Sequence, residues 1–179
     1  MSAAVFFDRD GTLVRLVERD GRAVSPRSLE DFRVVPGAGE LVRRLRGRGY
    51  RTFVVSNQPD VARGFLSETV LRRMHERLRA EVELDDVAVC MHDDGDRCSC
   101  RKPQPGMLLA LAERWKIDLQ ASYMVGDSAK DVAAGRSAGC RTILLGSPPG
   151  QVVADRVVPD LEAVLEVVGS QPVRERRDR

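Results

Sequence analysis

Short apolar runs alternate along this chain with longer segments whose apolar positions recur at helical spacing. The runs lie at Ala4–Phe7, Thr52–Val55, Val87–Met91, Tyr123–Val125 and Thr142–Leu145, are rich in Val, Phe and other strand-favouring residues, and predict five strands. Between them Ala38, Leu41, Val42 and Leu45 repeat at i, i+3, i+4 and i+7, as do Leu108, Leu111, Ala112 and Trp115, and Leu161, Val164, Leu165 and Val168. Each set is one buried stripe on a helix. The punctuation agrees: Gly49 closes the first helix, Ser67 and Asp160 suit N-caps, and Pro105-Gly106 opens the helix that carries Trp115. Strand alternating with helix predicts an α/β fold, a parallel sheet covered by helices on both faces. From Arg15 to Pro36 mixed charge, Gly21 and Pro26 break the rhythm, which predicts a loop or small hairpin lying over the functional site.

Composition narrows this picture. With 179 residues, 42% of them hydrophobic, the chain suits one α/β domain over 1–169 with a full core. No apolar stretch approaches the ~20 residues of a membrane span. Met1 to Phe7 also lacks the charged start and long apolar centre of a secretory signal. A soluble, cytoplasmic, monomeric protein with no membrane partner is expected. The net charge of +2 is carried entirely by residues 170–179, where four Arg face Glu175 and Asp178. The body is formally neutral, so no nucleic-acid surface is expected, and the Arg-rich tail reads as disordered.

Chemistry gathers where the strand-like runs end. Val5-Phe6-Phe7 leads into Asp8-Arg9-Asp10-Gly11-Thr12, two carboxylates one residue apart followed by a turn. In an open α/β sheet ligands bind beyond the carboxyl ends of the strands, so these acids face a ligand. Carboxylates so close repel unless a cation sits between them, which predicts a hard divalent metal, Mg²⁺, shared with a phosphate. Val54-Val55 runs into Ser56-Asn57-Gln58, whose hydroxyl and amides suit non-bridging phosphate oxygens. Arg101-Lys102 supplies cations for a phosphoryl group. Met124-Val125-Gly126-Asp127 places a third metal carboxylate, with Asp131 on the same face of the following helix to support it.

A separate cluster, Cys90-Met91-His92 and Cys98-Ser99-Cys100, brings three of the four cysteines and one of the two histidines into one short segment. Three thiolates and one imidazole complete a tetrahedral Zn²⁺ shell with no open position, a structural site. Lys102 follows Cys100 by two residues, so closing the 90–100 loop on zinc would fix where the cation points. Cys140 and His75 stand apart and read as structural. A zinc-dependent binding module would leave Asp8, Asp10, Asp127 and Asp131 without purpose, and an inactive scaffold would have lost an acid or Lys102.

In order, the four polar clusters resemble the haloacid dehalogenase superfamily of phosphohydrolases, over nearly the whole chain from Val5 to about Val168. The resemblance implies a Rossmann-like fold without a large cap domain, and its DxDGT form at Asp8–Thr12 is similar to the phosphatase branch. By that resemblance Asp8 is the nucleophile, forming an aspartyl-phosphate, and Asp10 is the general acid and then the base. Mg²⁺ would be held by the Asp8 and Asp127 carboxylates and the Asp10 main-chain carbonyl, with Thr12 and Asp131 supporting them. Ser56 and Lys102 would stabilise the transferring phosphoryl group.

The zinc loop and the run Arg101-Lys102-Pro103-Gln104-Pro105-Gly106-Met107 are similar to a branch of small-metabolite phosphatases. That likeness implies a sugar phosphate substrate, a heptose bisphosphate in first place, contacted by Asn57, Gln58, Arg63 and Arg101. The alternative is histidinol phosphate or another small metabolite such as a sugar phosphate, because the five-residue spacer between His92 and Cys98 is similar to the histidinol-phosphate group and Ser128 stands where heptose enzymes usually carry Lys.

Overall fold

The computed structural model describes residues 1–147 and 150–169. The chain order is β1 (Ala4–Phe7), β2 (Val17–Arg19), β3 (Arg22–Val24), α1 (Ala38–Gly47), β4 (Arg51–Asn57), α2 (Glu68–Val82) and β5 (Asp86–Cys90). It continues through α3 (Gly106–Trp115), β6 (Tyr123–Gly126), α4 (Ala129–Ala138), β7 (Arg141–Leu145), β8 (Arg156–Val158) and α5 (Leu161–Val167). Six strands form one parallel sheet in the order β5-β4-β1-β6-β7-β8.

β1 lies between β4 and β6, and here the connections change direction: the chain builds outward to β4 and β5, then crosses back to β6, β7 and β8. Such a reversal opens a crevice at the carboxyl ends of the strands. Phe7 is in register with Val54 on one side and Val125 on the other. Asp8, Ser56 and Asp127 therefore emerge side by side at that edge.

Strand alternation sends each β1 side chain to one of two cores. Val5 and Phe7 pack with the buried stripes of α1 (Ala38, Leu41, Val42, Leu45), α2 (Leu71, Met74, Leu78, Val82) and α5 (Leu161, Val164, Leu165). Ala4 and Phe6 pack against α3 and α4. Both faces are covered, as the patterning requires. Ser67 caps α2 by accepting from the Val70 N–H, and Asp160 caps α5 by accepting from Ala163 N–H, both as expected.

The departures are local. β4 runs on to Asn57, and β5 is Asp86–Cys90, one residue earlier than the apolar run suggested. The small edge strand β8 carries no apolar run that would predict it, because Arg156 and Val157 are exposed and only Val158 is buried. Within the Arg15–Pro36 stretch, β2 and β3 pair antiparallel about Asp20-Gly21, a small hairpin with positive φ at both turn residues. The expectation of a disordered Arg-rich tail falls outside the described residues. Among the described residues no helix is long and apolar enough to cross a membrane.

Candidate active site

Asp8 leaves the end of β1 with its N–H donating to the Val125 carbonyl at 2.8 Å, which locks the residue to β6. Its Oδ1 accepts from the Arg9 N–H at 2.7 Å and from Lys102 Nζ at 2.7 Å. Lys102 Nζ also donates to Asp131 Oδ1 at 2.6 Å, and the lysine is almost fully buried. Burial works against its charge, but Asp8 and Asp131 outweigh it and hold the ammonium above its usual range. Burial pushes Asp8 up to about 7 even though Lys102 pulls it back, and burial with the neighbouring Asp131 lifts Asp127 to about 6.

Such elevated carboxylates in one place mark a site built for a cation. Asp8, Asp127 and Asp131 can each bring an oxygen within 4.8 Å of the others, and an all-oxygen donor set suits Mg²⁺. Gly11, at φ 86, closes the β1 turn directly against this cluster, where a Cβ would lie 1.9 Å from Asp127 Oδ2. No side chain fits there. Asp131 stands closer to the cluster than its supporting role implied; its other oxygen accepts from the Ser128 N–H and hydroxyl at the start of α4. The Thr12 hydroxyl is buried without a hydrogen-bond partner among the described residues.

The Asp10 carboxyl lies outside that cluster and has its own partners, although Asp10 lines the same cleft. Arg9 grips it as a fork, Nε to Oδ1 and Nη2 to Oδ2 at 2.8 Å each, and Gln58 Nε2 donates to Oδ2 at 2.7 Å. Gln58 Nε2 also donates to Ser56 Oγ at 2.9 Å. Because the Ser56 oxygen accepts there, its own proton is available for a phosphoryl oxygen. Asn57 spends both ends of its amide on the main chain of Lys102. Asp8, Asp10, Asn57, Arg101, Lys102, Ser128, Lys130 and Asp131 meet in a cleft of about 230 Å³, with Ser25 of the hairpin segment on its rim. Sequence reasoning missed Arg9. The signal was there: at i+2 from Phe7 a charged side chain continues the face that points into the core.

In the 90–100 loop the four expected zinc ligands converge. The Sγ atoms of Cys90, Cys98 and Cys100 lie 3.3–3.6 Å apart, and His92 Nδ1 is 3.5 Å from Cys90 Sγ and 3.3 Å from Cys100 Sγ. All three are free thiols, far outside disulfide distance. A tetrahedron of bonds near 2.3 Å has edges of about 3.8 Å, so this donor set fits zinc. Cys140 is buried in the α3–α4 core, as expected of a structural residue. Arg63 pairs with Asp93 at 2.5 Å and Arg101 Nε with Asp94 at 2.8 Å, so both arginines expected at the substrate rest on acids of the spacer between His92 and Cys98.

A family model described as haloacid dehalogenase-like hydrolase matches residues 17–139. The chain belongs to the haloacid dehalogenase-like hydrolases, as one of their phosphatases. Among its relatives, the D-glycero-beta-D-manno-heptose-1,7-bisphosphate 7-phosphatase of Pseudomonas putida is 32% identical, covering 90% of this chain and 93% of the relative. The Rhodopseudomonas palustris protein of the same name is 38% identical over 76% of this chain and 79% of its own. The crystal structure of D,D-heptose 1,7-bisphosphate phosphatase from Bordetella bronchiseptica, complexed with magnesium and phosphate, superposes with a TM-score of 0.81 at 28% identity, covering 93% of this chain and 97% of that one.

Proposed function

We propose that this chain is a Mg²⁺-dependent phosphatase that removes the 7-phosphate of D-glycero-D-manno-heptose 1,7-bisphosphate through an aspartyl-phosphate. The observation that carries the reading is Asp8 itself. It sits at the floor of the cleft with Oδ1 engaged by Lys102 and Arg9, while Oδ2 has no hydrogen bond among the described residues and can attack phosphorus. Relatives spanning most of the chain are heptose 1,7-bisphosphate phosphatases, which supports that substrate.

Attack by Asp8 forms the oxygen–phosphorus bond as the sugar alkoxide leaves. Lys102 and the Ser56 hydroxyl offset the charge on the non-bridging oxygens, where positioning and electrostatics carry most of the catalysis. Asp10 in its protonated form gives its proton to the alkoxide, then as a carboxylate takes one from the water that hydrolyses the aspartyl-phosphate, which releases inorganic phosphate and returns Asp8 as a carboxylate and Asp10 as the acid. The Asp8 and Asp127 carboxylates and the Asp10 carbonyl would hold Mg²⁺, which when bound neutralises phosphoryl oxygens. Cys90, His92, Cys98 and Cys100 would hold a structural Zn²⁺ and so set the path of the chain into Arg101 and Lys102. The protein would work as a cytoplasmic monomer, in a compartment that keeps these thiols reduced.

The test is a panel of heptose 1,7-bisphosphate, sugar monophosphates and histidinol phosphate, scored by kcat/KM with and without Mg²⁺. Preference for the heptose bisphosphate is expected, and Asp8→Asn should fall to background with zinc content and fold retained. A preference for histidinol phosphate of about tenfold or more, a gap of ~1.4 kcal/mol in transition-state binding, would overturn the substrate.

A further inference from the structure

The guanidinium of Arg9 is fully buried, and a buried charge is stable only when its hydrogen-bonding groups are paired. Two edges of the fork are used on Asp10. The remaining amino group, Nη1, lies 3.0 Å from Nε2 of His75, a helix residue 66 positions away in sequence. The Phe32 ring covers the guanidinium, 5.6 Å from Cζ to ring centroid.

The protonation of this contact follows from the partners. An arginine side chain donates and never accepts, so Nε2 must be the acceptor and the imidazole carries its proton on Nδ1. Burial first, and then the Arg9 charge, push His75 down to about 4, so the ring is neutral at physiological pH.

We propose that His75 is a positioning residue for the proton-transfer carboxyl, acting through Arg9: Nε2 anchors the far side of the guanidinium, and the anchored fork holds Asp10 in one orientation. The proposal rests on the phosphatase reading for the role of Asp10. Gln58 holds the same carboxyl from the β4 side, so Asp10 is clamped between β4 and α2. A guanidinium deprived of its third partner turns to find another, and its fork leaves the Asp10 oxygens. The loss then falls on the step in which Asp10 protonates the leaving group.

Leaving-group chemistry separates this role from a structural one. The second-order constant kcat/KM reports steps through release of the first product. An alkoxide leaving group needs a proton in those steps, whereas p-nitrophenolate leaves without one. In the Mg²⁺-loaded enzyme, His75→Phe should lower kcat/KM for heptose 1,7-bisphosphate by about tenfold or more and for p-nitrophenyl phosphate by less than about threefold. His75→Gln, whose amide oxygen can accept from Nη1, should recover most of the difference. Equal losses on both substrates, or no loss on either, would overturn the proposal. If the wild type ignores the heptose substrate but cleaves p-nitrophenyl phosphate, the substrate reading fails by itself, and histidinol phosphate serves as the alkyl ester in the same comparison. Nitrogen-15 spectra of the wild-type imidazoles provide a check independent of the variants' folding. His75 should show the Nδ1–H tautomer and stay neutral at pH 5, and an Nε2–H tautomer would overturn the assignment.

Discussion

Asn57 holds Lys102 by its main chain, its Oδ1 accepting the Lys102 N–H at 3.0 Å and its Nδ2 donating to the Lys102 carbonyl at 2.9 Å. The side chain thereby acts as a short extra strand, tying the end of β4 to the segment that leaves the 90–100 loop. Its amide has little left for substrate, which recasts the residue expected to touch the sugar as one that places the lysine.

This relationship predicts the phenotype of Asn57→Ala. Two main-chain groups lose their partner, a cost of about 1–3 kcal/mol each if they stay buried, and the backbone that delivers Lys102 Nζ to Asp8 and Asp131 loosens. The expected outcome is a fall in kcat of about tenfold or more with KM little changed. Steady-state kinetics check it, and a change confined to KM would contradict it.

Magnesium should stabilise the protein more strongly as pH rises. Asp8 at about 7 and Asp127 at about 6 both stand above the ordinary carboxylate value of 3.8, burial being the leading cause. The metal-free folded state therefore binds more protons than the unfolded chain in that interval. Its stability falls as pH climbs from about 4 through about 7, because the acids must ionise while buried. A cation takes over what the protons did. Thermal unfolding with and without Mg²⁺ should show a gain at pH 8 about twice that at pH 5 or larger, and a pH-independent gain would contradict the assignment.

Zinc and magnesium should separate under chelation. Mild EDTA treatment should abolish turnover reversibly while leaving about one Zn²⁺ per chain, since three thiolates and an imidazole bind far more tightly than carboxylates and water. Cys98→Ser should release zinc and lower kcat, because the chain entering Lys102 loses its anchor. Elemental analysis finding no zinc in freshly purified, reduced protein would remove the basis for this prediction.

The adjacent cations should part in kinetics. Lys102 is buried between two carboxylates, so Lys102→Ala should depress kcat for every phosphate ester. Arg101 rests on Asp94, an exposed spacer carboxylate that a second substrate phosphate would displace. Arg101→Ala should raise KM for the bisphosphate about tenfold with kcat nearly unchanged. Asp94→Asn should lower that KM by freeing the guanidinium, and Ser128→Lys should increase preference for bisphosphate over monophosphate by adding a cation to the rim. Substrate titrations of the four variants check the set.

Much of this site could be read along the chain. Asp8, Ser56 and Asp127 each follow an apolar run, and parallel register then brings them to one edge, since strands that start together end together. The three cysteines and the histidine expected to hold zinc lie within one short segment, so their spacing already limits how they can meet. Arg9 is hard to read from the chain because a charge between two acids ordinarily sits at the surface, whereas the fold buries it.

What the sequence by itself determined is the alternation of strands and helices, the faces they bury, the chemistry waiting at the strand ends and the Cys/His cluster of the 90–100 loop. These depend on side-chain periodicity and on residues near in sequence. Only the tertiary structure decided which groups hold which. Arg9 and His75 are 66 residues apart, Asp8 and Lys102 are 94 apart, and Asn57 and Lys102 are 45 apart. The short edge strand β8 likewise has no buried stripe of its own and exists because β7 offers an edge to pair with. Patterning records how each segment meets water, and it carries no record of the partner that a buried polar group will find, because that partner is chosen by packing between elements distant in the chain.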